Sequence, residues 1–187
     1  MEILEIKDLE TLAKKRVPKM FFDYVNSGSW TETTYNENVS DYQKIKLRQR
    51  VAIDMSNRTL ETKMINQPVS MPVAIAPTGL TGMQRADGEI LAAQAAEEFG
   101  IPYTLSTMSV CSIEAVAEKT KKPFWFQLYV MKDKKFMERL IDRAKEAKCS
   151  ALVLTLDLQL LGQRHKDLRN GLSTPVSYTH LTLPTSR

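Results

Sequence analysis

Six polar side chains stand at the ends of apolar stretches of the chain. The stretches are predicted strands, and the polar residues are Thr78, Ser106, Gln127, Tyr129, Thr155 and Asp157. Hydroxyl, amide, phenol and carboxylate groups can donate hydrogen bonds to, or accept them from, the ring atoms of a flat polar heterocycle. The carboxyl ends of parallel strands are where α/β proteins hold such ligands. The pattern therefore predicts a binding rim.

The stretch 123–129 shows how such a rim forms. By the two-residue period of a strand, Trp125, Gln127 and Tyr129 share one face, and apolar residues fill the other. A strand that is apolar on both faces is typical of a parallel sheet covered by helices. Gln127 and Tyr129 then form a polar patch at its carboxyl end. The alternative is a core strand whose two polar side chains only satisfy the backbone.

From residue 71 the chain alternates between strand and helix. The predicted strands are 71–78, 101–106, 123–129 and 150–157, and the predicted helices are 89–99, 113–119 and 133–148. Ser112 and Asp133 are predicted N-caps, and Gly100 is a predicted C-terminal stop. No glycine-rich dinucleotide or phosphate loop follows the first strand. The fold class is therefore α/β, and four such units make half of an eight-stranded barrel.

A helical cap is predicted in front of this repeat. Its first helix covers 8–16 with Asp8 as the N-cap, its second begins at Pro18 and ends at Val25, and its third covers 31–42.

The fourth strand carries Thr155 and Asp157 on one face. Its opposite face is predicted to meet helices through Leu152, Leu154 and Leu156. Just beyond it, Arg164 offers a planar fork for a carboxylate or a phosphate. The alternative for Arg164 is an ordinary surface arginine.

The composition is that of a globular protein in a reducing cytosol. Hydrophobic residues make up 43% and charged residues 26%, and no apolar run approaches the roughly 18 residues that span a bilayer. Cys111 and Cys149 have no motif spacing and are expected to be buried thiols. His165 and His180 form no metal-binding motif, so no metal is expected. The acidic start of the chain does not fit a signal peptide.

The net charge is +4, and basic residues gather at 14–16, 44–50 and 132–135. These runs are expected to be solvated surfaces. Attraction to an anionic membrane leaflet is the alternative. No aromatic side chains interleave with them, so nucleic acid is not an expected partner.

Four segments resemble the FMN-dependent α-hydroxy acid dehydrogenases and oxidases: residues 77–83, 105–107, 125–129 and 154–157. Residues 17–24 resemble the start of the same family. Residues 47–51 and 104–111 are most similar to its bacterial respiratory L-lactate dehydrogenases. The resemblance covers about residues 1–173 and implies a TIM barrel, of which the chain holds the cap and about the first four β/α units.

The resemblance implies that FMN lies over the rim. Pro77, Thr78 and Gly79 would lie along the flavin ring, and Ser106, Gln127 and Thr155 would hydrogen-bond to it. In the family, glycine at position 79 accompanies dehydrogenases, and alanine accompanies oxygen-using oxidases. Gly79 therefore favours an acceptor such as quinone or cytochrome.

The resemblance also implies the substrate site. Tyr24 and Tyr129 would contact a small 2-hydroxy acid, Arg164 would lie close to it, and Asp157 would orient the family's catalytic histidine. The implied reaction oxidises an L-2-hydroxy acid, with L-lactate to pyruvate preferred. An oxygen-using glycolate or lactate oxidase and a mandelate dehydrogenase remain alternatives. The expected location is the cytoplasm, with peripheral contact to the inner face of the cell membrane as an alternative, and the intact parent is expected to be a homo-oligomer.

The family's catalytic histidine, flavin-binding lysine and phosphate loops are expected on later strands. His165 is a poor candidate for the base. The segment 174–187 is rich in Ser and Thr, lacks acids and is expected to be an artefactual tail that packs against nothing, with a divergent loop as the alternative. We therefore also expect that the chain as written is an inactive half-barrel fragment. It should show no lactate-dependent dye reduction, even with added FMN.

Overall fold

A computed structural model describes residues 2–157 and 162–172 of the protein. The chain divides into two units, unit 1 from Met1–Thr59 and Leu161–Thr174, and unit 2 from Leu60–Leu160. The predicted tail at 174–187, including His180, lies outside the described residues. Among the residues that the structure describes, no helix is both long and apolar enough to cross a membrane.

Unit 1 is helical. Its helices are α1 (Ile6–Arg16), α2 (Lys19–Val25), α3 (Thr33–Lys44) and α8 (His165–Arg169). Pro18 is the N-cap of α2, as the sequence predicts. His165, which follows the fourth predicted strand, begins α8.

The start of α1 differs from the prediction that Asp8 is its N-cap. The N-cap is Glu5, and Asp8 lies one turn into the helix. The Asp8 carboxylate accepts hydrogen bonds from the amides of Leu4 (2.9 Å) and Glu5 (3.1 Å). These two bonds hold the pKa of Asp8 below its usual value. The side chain therefore reaches back to the helix start, as in a capping box.

Unit 2 contains a three-stranded parallel sheet in the order β3 (Thr104–Leu105), β4 (Trp125–Tyr129), β5 (Ala151–Thr155). The predicted strand 71–78 is wrong as a strand, since only Ile75 forms a bridge, parallel to Tyr103. Proline at positions 72 and 77 explains this, because proline has no amide to donate to a ladder. The α/β class itself is confirmed.

A hairpin that the sequence did not predict precedes the sheet. It joins β1 (Thr62–Met64) to β2 (Gln67–Val69) in antiparallel pairing. Both turn residues have positive φ, 47° at Ile65 and 62° at Asn66. Such a turn favours Asn and Gly at both positions. Because Ile65 occupies the first position, the sequence lacks the usual hairpin signal.

The helices of unit 2 are α4 (Thr81–Gln84), α5 (Gly88–Phe99), α6 (Ile113–Lys119) and α7 (Lys134–Glu146). Three of the predicted helix boundaries are confirmed. Ser112 Oγ accepts from the amide of Ala115 (3.1 Å), and Asp133 Oδ1 accepts from that of Phe136 (3.0 Å). Gly100 ends α5 with a φ of +72°.

The strands β4 and β5 differ in how they are covered. Every residue of β4 except Tyr129 is buried, and Leu105, Phe126 and Leu128 lie in one core with residues of α5, α6 and α7. The face of the chain with Leu152, Leu154 and Leu156, predicted to meet helices, is about half exposed in the described residues. The exposed fractions are 47% for Leu152 and 49% for Leu154 in β5, and 53% for Leu156 just beyond it.

Candidate functional site

Three parallel strands bring polar side chains together at their carboxyl ends, as predicted. We call Ser106, Thr107, Gln127 and Thr155 the amide cluster. Residues Leu105 and Phe126 are paired, so Ser106 lies beside Gln127, which is itself paired with Val153 on β5. Thr155, two residues further along, points to the same face. The register of the sheet therefore places the cluster.

The amide of Gln127 is the centre of this cluster and is only 1% exposed. Its Oε1 accepts from the amide of Thr107 (3.1 Å) and the hydroxyl of Ser106 (3.4 Å). Its Nε2 donates to Thr155 Oγ1 (2.7 Å). The Thr107 hydroxyl donates to the Gln127 carbonyl. The buried amide is thus held by groups from all three strands.

The hydrogen-bond inventory of the cluster fits a flat polar ring. Nε2 of Gln127 carries two protons, and one is directed at Thr155. Thr155 Oγ1 accepts that bond, so its own proton is available to donate. One donor on β4 and one on β5 therefore stand beside each other at the rim. Donors of this kind can hydrogen-bond the carbonyls and nitrogens of a flat polar ring.

The other predicted flavin residues lie in the segment after the bridge at Ile75. Pro77 and Thr78 are exposed, and Gly79 is half-buried. The next residue, Leu80, donates its amide to the carbonyl of Met108 (2.9 Å). The segment therefore lies beside the loop that follows β3, which carries Ser106 and Thr107 of the amide cluster.

A buried carboxylate at the same rim was missed by the sequence reasoning. Glu89 is 0% exposed, and its Oε1 accepts from the amides of Gly82 (3.0 Å) and Val110 (2.9 Å). Burial raises the pKa of this carboxyl, but hydrogen bonds from the amides of Val110, Gly82 and Glu89 itself and from the Cys111 thiol together outweigh it, so the pKa lies below its usual value. In the sequence, Glu89 is only an acidic residue in the first turn of an alanine-rich helix. Interaction with the helix dipole explains such a residue equally well, so its burial was not predicted.

Unit 1 brings together two predicted substrate residues. We call Tyr24, Ser27, Arg164 and Asp167 the arginine cluster. The Arg164 guanidinium lies 4.6 Å from the centre of the Tyr24 ring. Its Nη2 donates to the carbonyl of Tyr24 and to the carbonyl (3.2 Å) and hydroxyl (3.1 Å) of Ser27. Arg164 is thus a tied side chain and not a free surface arginine.

Asp167 completes the arginine cluster and was not predicted. It is 4% exposed, and its Oδ2 lies 3.0 Å from Arg164 Nε. Burial raises the pKa of Asp167, and the charge of Arg164 opposes that shift. Within the described residues, Arg164 Nε and Asp167 Oδ1 have no well-formed hydrogen bond. The ion pair therefore retains unused hydrogen-bonding capacity.

The remaining predicted residues are placed as follows. Tyr129 is half-buried at the end of β4, paired with Thr155 in the strand register. Asp157 is exposed two residues beyond β5. In unit 1, the ring of His165 makes an edge contact with Trp30 at 5.9 Å between ring centres.

Comparison with known proteins gives a consistent result. A profile of the family described as FMN-dependent dehydrogenase matches residues 13–186. The L-lactate dehydrogenase of Acinetobacter baylyi is 49% identical over 175 residues, which are 94% of this chain and 46% of that protein. The L-lactate dehydrogenase of Acinetobacter baumannii is 50% identical over 168 residues, 90% of this chain and 44% of that protein.

Among solved structures, a soluble mutant of the membrane-associated (S)-mandelate dehydrogenase from Pseudomonas putida superposes with a TM-score of 0.87 at 34% identity. The match covers 94% of this chain and 50% of that one. The predicted fold, part of a TIM-barrel protein with a helical cap, is confirmed by this similarity. The chain spans less than half the length of the curated relatives that it matches.

Proposed function

The chain belongs to the FMN-dependent dehydrogenase family, and from this premise we propose that its intact protein oxidises L-lactate to pyruvate and passes the electrons to quinone or cytochrome. The observation that carries the proposal is the amide cluster, in which Gln127 is buried and held toward Thr155 at 2.7 Å. A buried, oriented amide at the carboxyl rim of a parallel sheet is a ligand-binding feature.

For the cofactor, we assign Ser106, Gln127 and Thr155 as the residues that hydrogen-bond the flavin ring. Pro77, Thr78 and Gly79 would line the ring from the neighbouring segment. When bound, FMN supplies the acceptor for the two electrons that leave the hydroxy acid. The role of the protein here is to fix the ring, and the amide cluster supports that role because its donors are oriented before any ligand arrives.

For the substrate, we assign the carboxylate to Arg164 and Tyr24, with Tyr129 as a further contact. The planar fork of the Arg164 guanidinium suits a carboxylate. Asp157 is proposed to orient the base that takes the substrate proton. Its exposure at the end of β5 leaves its carboxylate accessible to such a group.

The relatives guide the choice of substrate. The L-lactate dehydrogenases are 49% and 50% identical to the chain, whereas the (S)-mandelate dehydrogenase is 34% identical. L-lactate is therefore the first proposal, and mandelate is the second candidate. Gly79 supports a dehydrogenase over an oxygen-using oxidase. The membrane association of the mandelate enzyme supports peripheral contact with the inner face of the membrane, and we also propose a homo-oligomeric parent.

A chimera tests these proposals. It continues residues 1–172 of this chain with the remaining half of the Acinetobacter baylyi L-lactate dehydrogenase. The purified chimera should carry a visible flavin spectrum and reduce a dye with L-lactate faster than with (S)-mandelate. Faster turnover of (S)-mandelate would favour the second candidate, and rapid oxygen consumption would favour an oxidase. A chimera that folds but takes up no flavin would contradict the cofactor assignment.

A further inference from the structure

Glu89 is a buried carboxylate with no cation among its hydrogen-bond partners in the described residues. It is the second residue of α5, and its Oε1 accepts from two backbone amides in other parts of the chain. The Cys111 thiol is a further hydrogen-bond partner. A buried charge is unfavourable unless hydrogen bonds compensate it. The buried location of the Glu89 carboxylate must therefore be explained by the groups to which it is hydrogen-bonded.

The two amides belong to two different segments at the rim, 77–82 and 106–110, which we call the rim loops. Gly82 lies in the short helix α4, just after the residues predicted to line the flavin, and Val110 follows β3. The same loops meet at a second point, where the Leu80 amide donates to the Met108 carbonyl at 2.9 Å. Glu89 therefore supplies the second of two links between them.

The loop after β3 continues this path into the amide cluster. The amide of Met108 donates to Ser106 Oγ (3.1 Å), and the amide of Thr107 donates to Gln127 Oε1 (3.1 Å). A chain of hydrogen bonds thus runs from Gly82 through Glu89 and the loop to Gln127. A displacement of the first loop would be transmitted to the buried amide along this chain.

Gly82 packs closely against Val110 and Glu89, which leaves little room for either loop to move. A Cβ at this position would lie 2.6 Å from Cβ of Val110 and 3.1 Å from Oε2 of Glu89. Both neighbours would have to move to admit a methyl group. The loop therefore approaches Glu89 and Val110 as closely as a residue without a side chain allows.

We propose that Glu89 is a positioning residue, which fixes the loop 77–82 against the loop 106–110 and so presets the rim that binds the flavin. The identity of the ligand rests on the function proposed above. The coupling of the loops rests on the contacts of Glu89 and on the hydrogen bond between Leu80 and Met108.

Amide hydrogen exchange of the 187-residue chain without FMN tests the coupling. In Glu89→Ala, amides of both loops should exchange about tenfold faster or more, while those of β4 stay protected. In Glu89→Gln, the exchange rates of these amides should lie between those of the unmutated chain and those of Glu89→Ala, because Gln keeps the acceptor oxygen without its charge. Gly82→Ala should also speed amide exchange in both loops, because its methyl group would push Gly82 away from Glu89 and Val110. Glu98→Gln, on the exposed face of α5, is the matched control and should change nothing.

Unchanged exchange in Glu89→Ala would overturn the proposal. So would equal loss of protection in β4, since that would make Glu89 a support of the whole fold. FMN titration of the chimera, followed by flavin fluorescence, separates the coupling from the cofactor. Weaker FMN binding in Glu89→Ala with partial rescue in Glu89→Gln supports the proposal. Loss of loop protection in the 187-residue chain, with no flavin binding by the unmutated chimera, leaves the coupling in place and counts against the flavin assignment.

Discussion

The amide cluster and the arginine cluster fix their polar groups in different ways. In the amide cluster, strand register places a neutral amide among groups from three strands. In the arginine cluster, the cation binds the backbone at the end of a helix, where Arg164 contacts the carbonyls of Tyr24 and Ser27, and Lys166 that of Asn26 (2.9 Å). Carbonyls at a helix C-terminus attract cations.

This difference separates a rigid position from an exchangeable one. If the Gln127 amide moved away, its buried partners beside β4 would lose their hydrogen bonds and could not regain them from water. The donors of Arg164 bind carbonyls that water can also satisfy, since its side chain is 27% exposed. We therefore expect mutations in the amide cluster to act on stability and cofactor binding. Mutations of Arg164 should act on the substrate and, because they leave buried Asp167 without its cation, also on the stability of unit 1.

The largest expected effect is on catalysis at Arg164 in the chimera. Arg164→Ala should lower kcat/KM for L-lactate by roughly 1.5 to 4 decades, because it removes a charge-assisted contact to the substrate carboxylate. This corresponds to a loss of about 2–5 kcal/mol in transition-state stabilisation. Arg164→Lys should also be damaging, because it keeps the charge but loses the planar fork. Steady-state kinetics measure both, and the division between kcat and KM shows whether Arg164 acts on the transition state.

Arg169 provides the control, as an exposed arginine in the last turn of α8. Arg169→Ala should leave kcat/KM within about twofold of the unmutated chimera. Near-unmutated kinetics in both Arg164 variants would remove Arg164 from the substrate site.

The next effect is on the stability of unit 2. Gln127→Met fills a similar volume but leaves the Thr107 amide and its hydroxyl neighbours without the side-chain amide. We expect a loss of about 2–3 kcal/mol in the free energy of unfolding. Urea unfolding followed by the fluorescence of buried Trp125, in a Trp30→Phe background, measures it. Gln94→Met is the control, because exposed Gln94 makes one bond, to the Lys119 carbonyl. Equal losses in the two variants would contradict the rigid description.

A smaller effect is expected in the arginine cluster. Ser27 donates to the Asp23 carbonyl (2.7 Å) and accepts from Arg164 (3.1 Å), and it is buried. Ser27→Ala should lower the stability of unit 1 by about 1 kcal/mol, since each partner has another contact or access to water. Thermal unfolding followed by the exposed Trp30 measures this. A loss as large as that of Gln127→Met would erase the contrast between the clusters.

The smallest effect concerns an ion pair at the surface of unit 2. Nε and Nη2 of Arg143 each lie 2.7 Å from an oxygen of the Glu114 carboxylate, and the pairing lowers the Glu114 pKa to about 2 from 4.5. The pair therefore stabilises unit 2 above about pH 4.5, and this contribution is lost as the pH falls toward 2. Solvent screening limits it to about 0.5 kcal/mol. Glu114→Gln should remove only that pH-dependent part, and a loss at neutral pH above about 1 kcal/mol would contradict this estimate.

The sequence predicted local features well where one residue determines the geometry. Ser112, Asp133 and Gly100 end or begin helices because a side-chain acceptor or a positive φ is needed at that point. The strand β4 was predicted because both of its faces are apolar. The meeting of Ser106, Gln127 and Thr155 followed from parallel strands in register.

Contacts between distant segments could not be predicted in this way. The contacts of Glu89 with Gly82 and Val110, and the stacking of Arg164 on Tyr24, depend on how loops and helices pack. No local pattern encodes such packing. Conversely, apolar alternation predicted a covered face for Leu154, whereas half of that side chain is exposed. Periodicity shows which face is apolar but not what lies against it.

The most direct test of the account is an FMN titration of the chimera and its Gln127→Met and Gln94→Met variants, under conditions in which the amides of β4 are protected. The account predicts that Gln127→Met weakens FMN binding by about tenfold or more and that Gln94→Met does not. L-lactate added without oxygen should bleach the visible absorbance of the flavin bound to the unmutated chimera. Equal FMN affinity in all three proteins would contradict the assignment of the amide cluster as the flavin site.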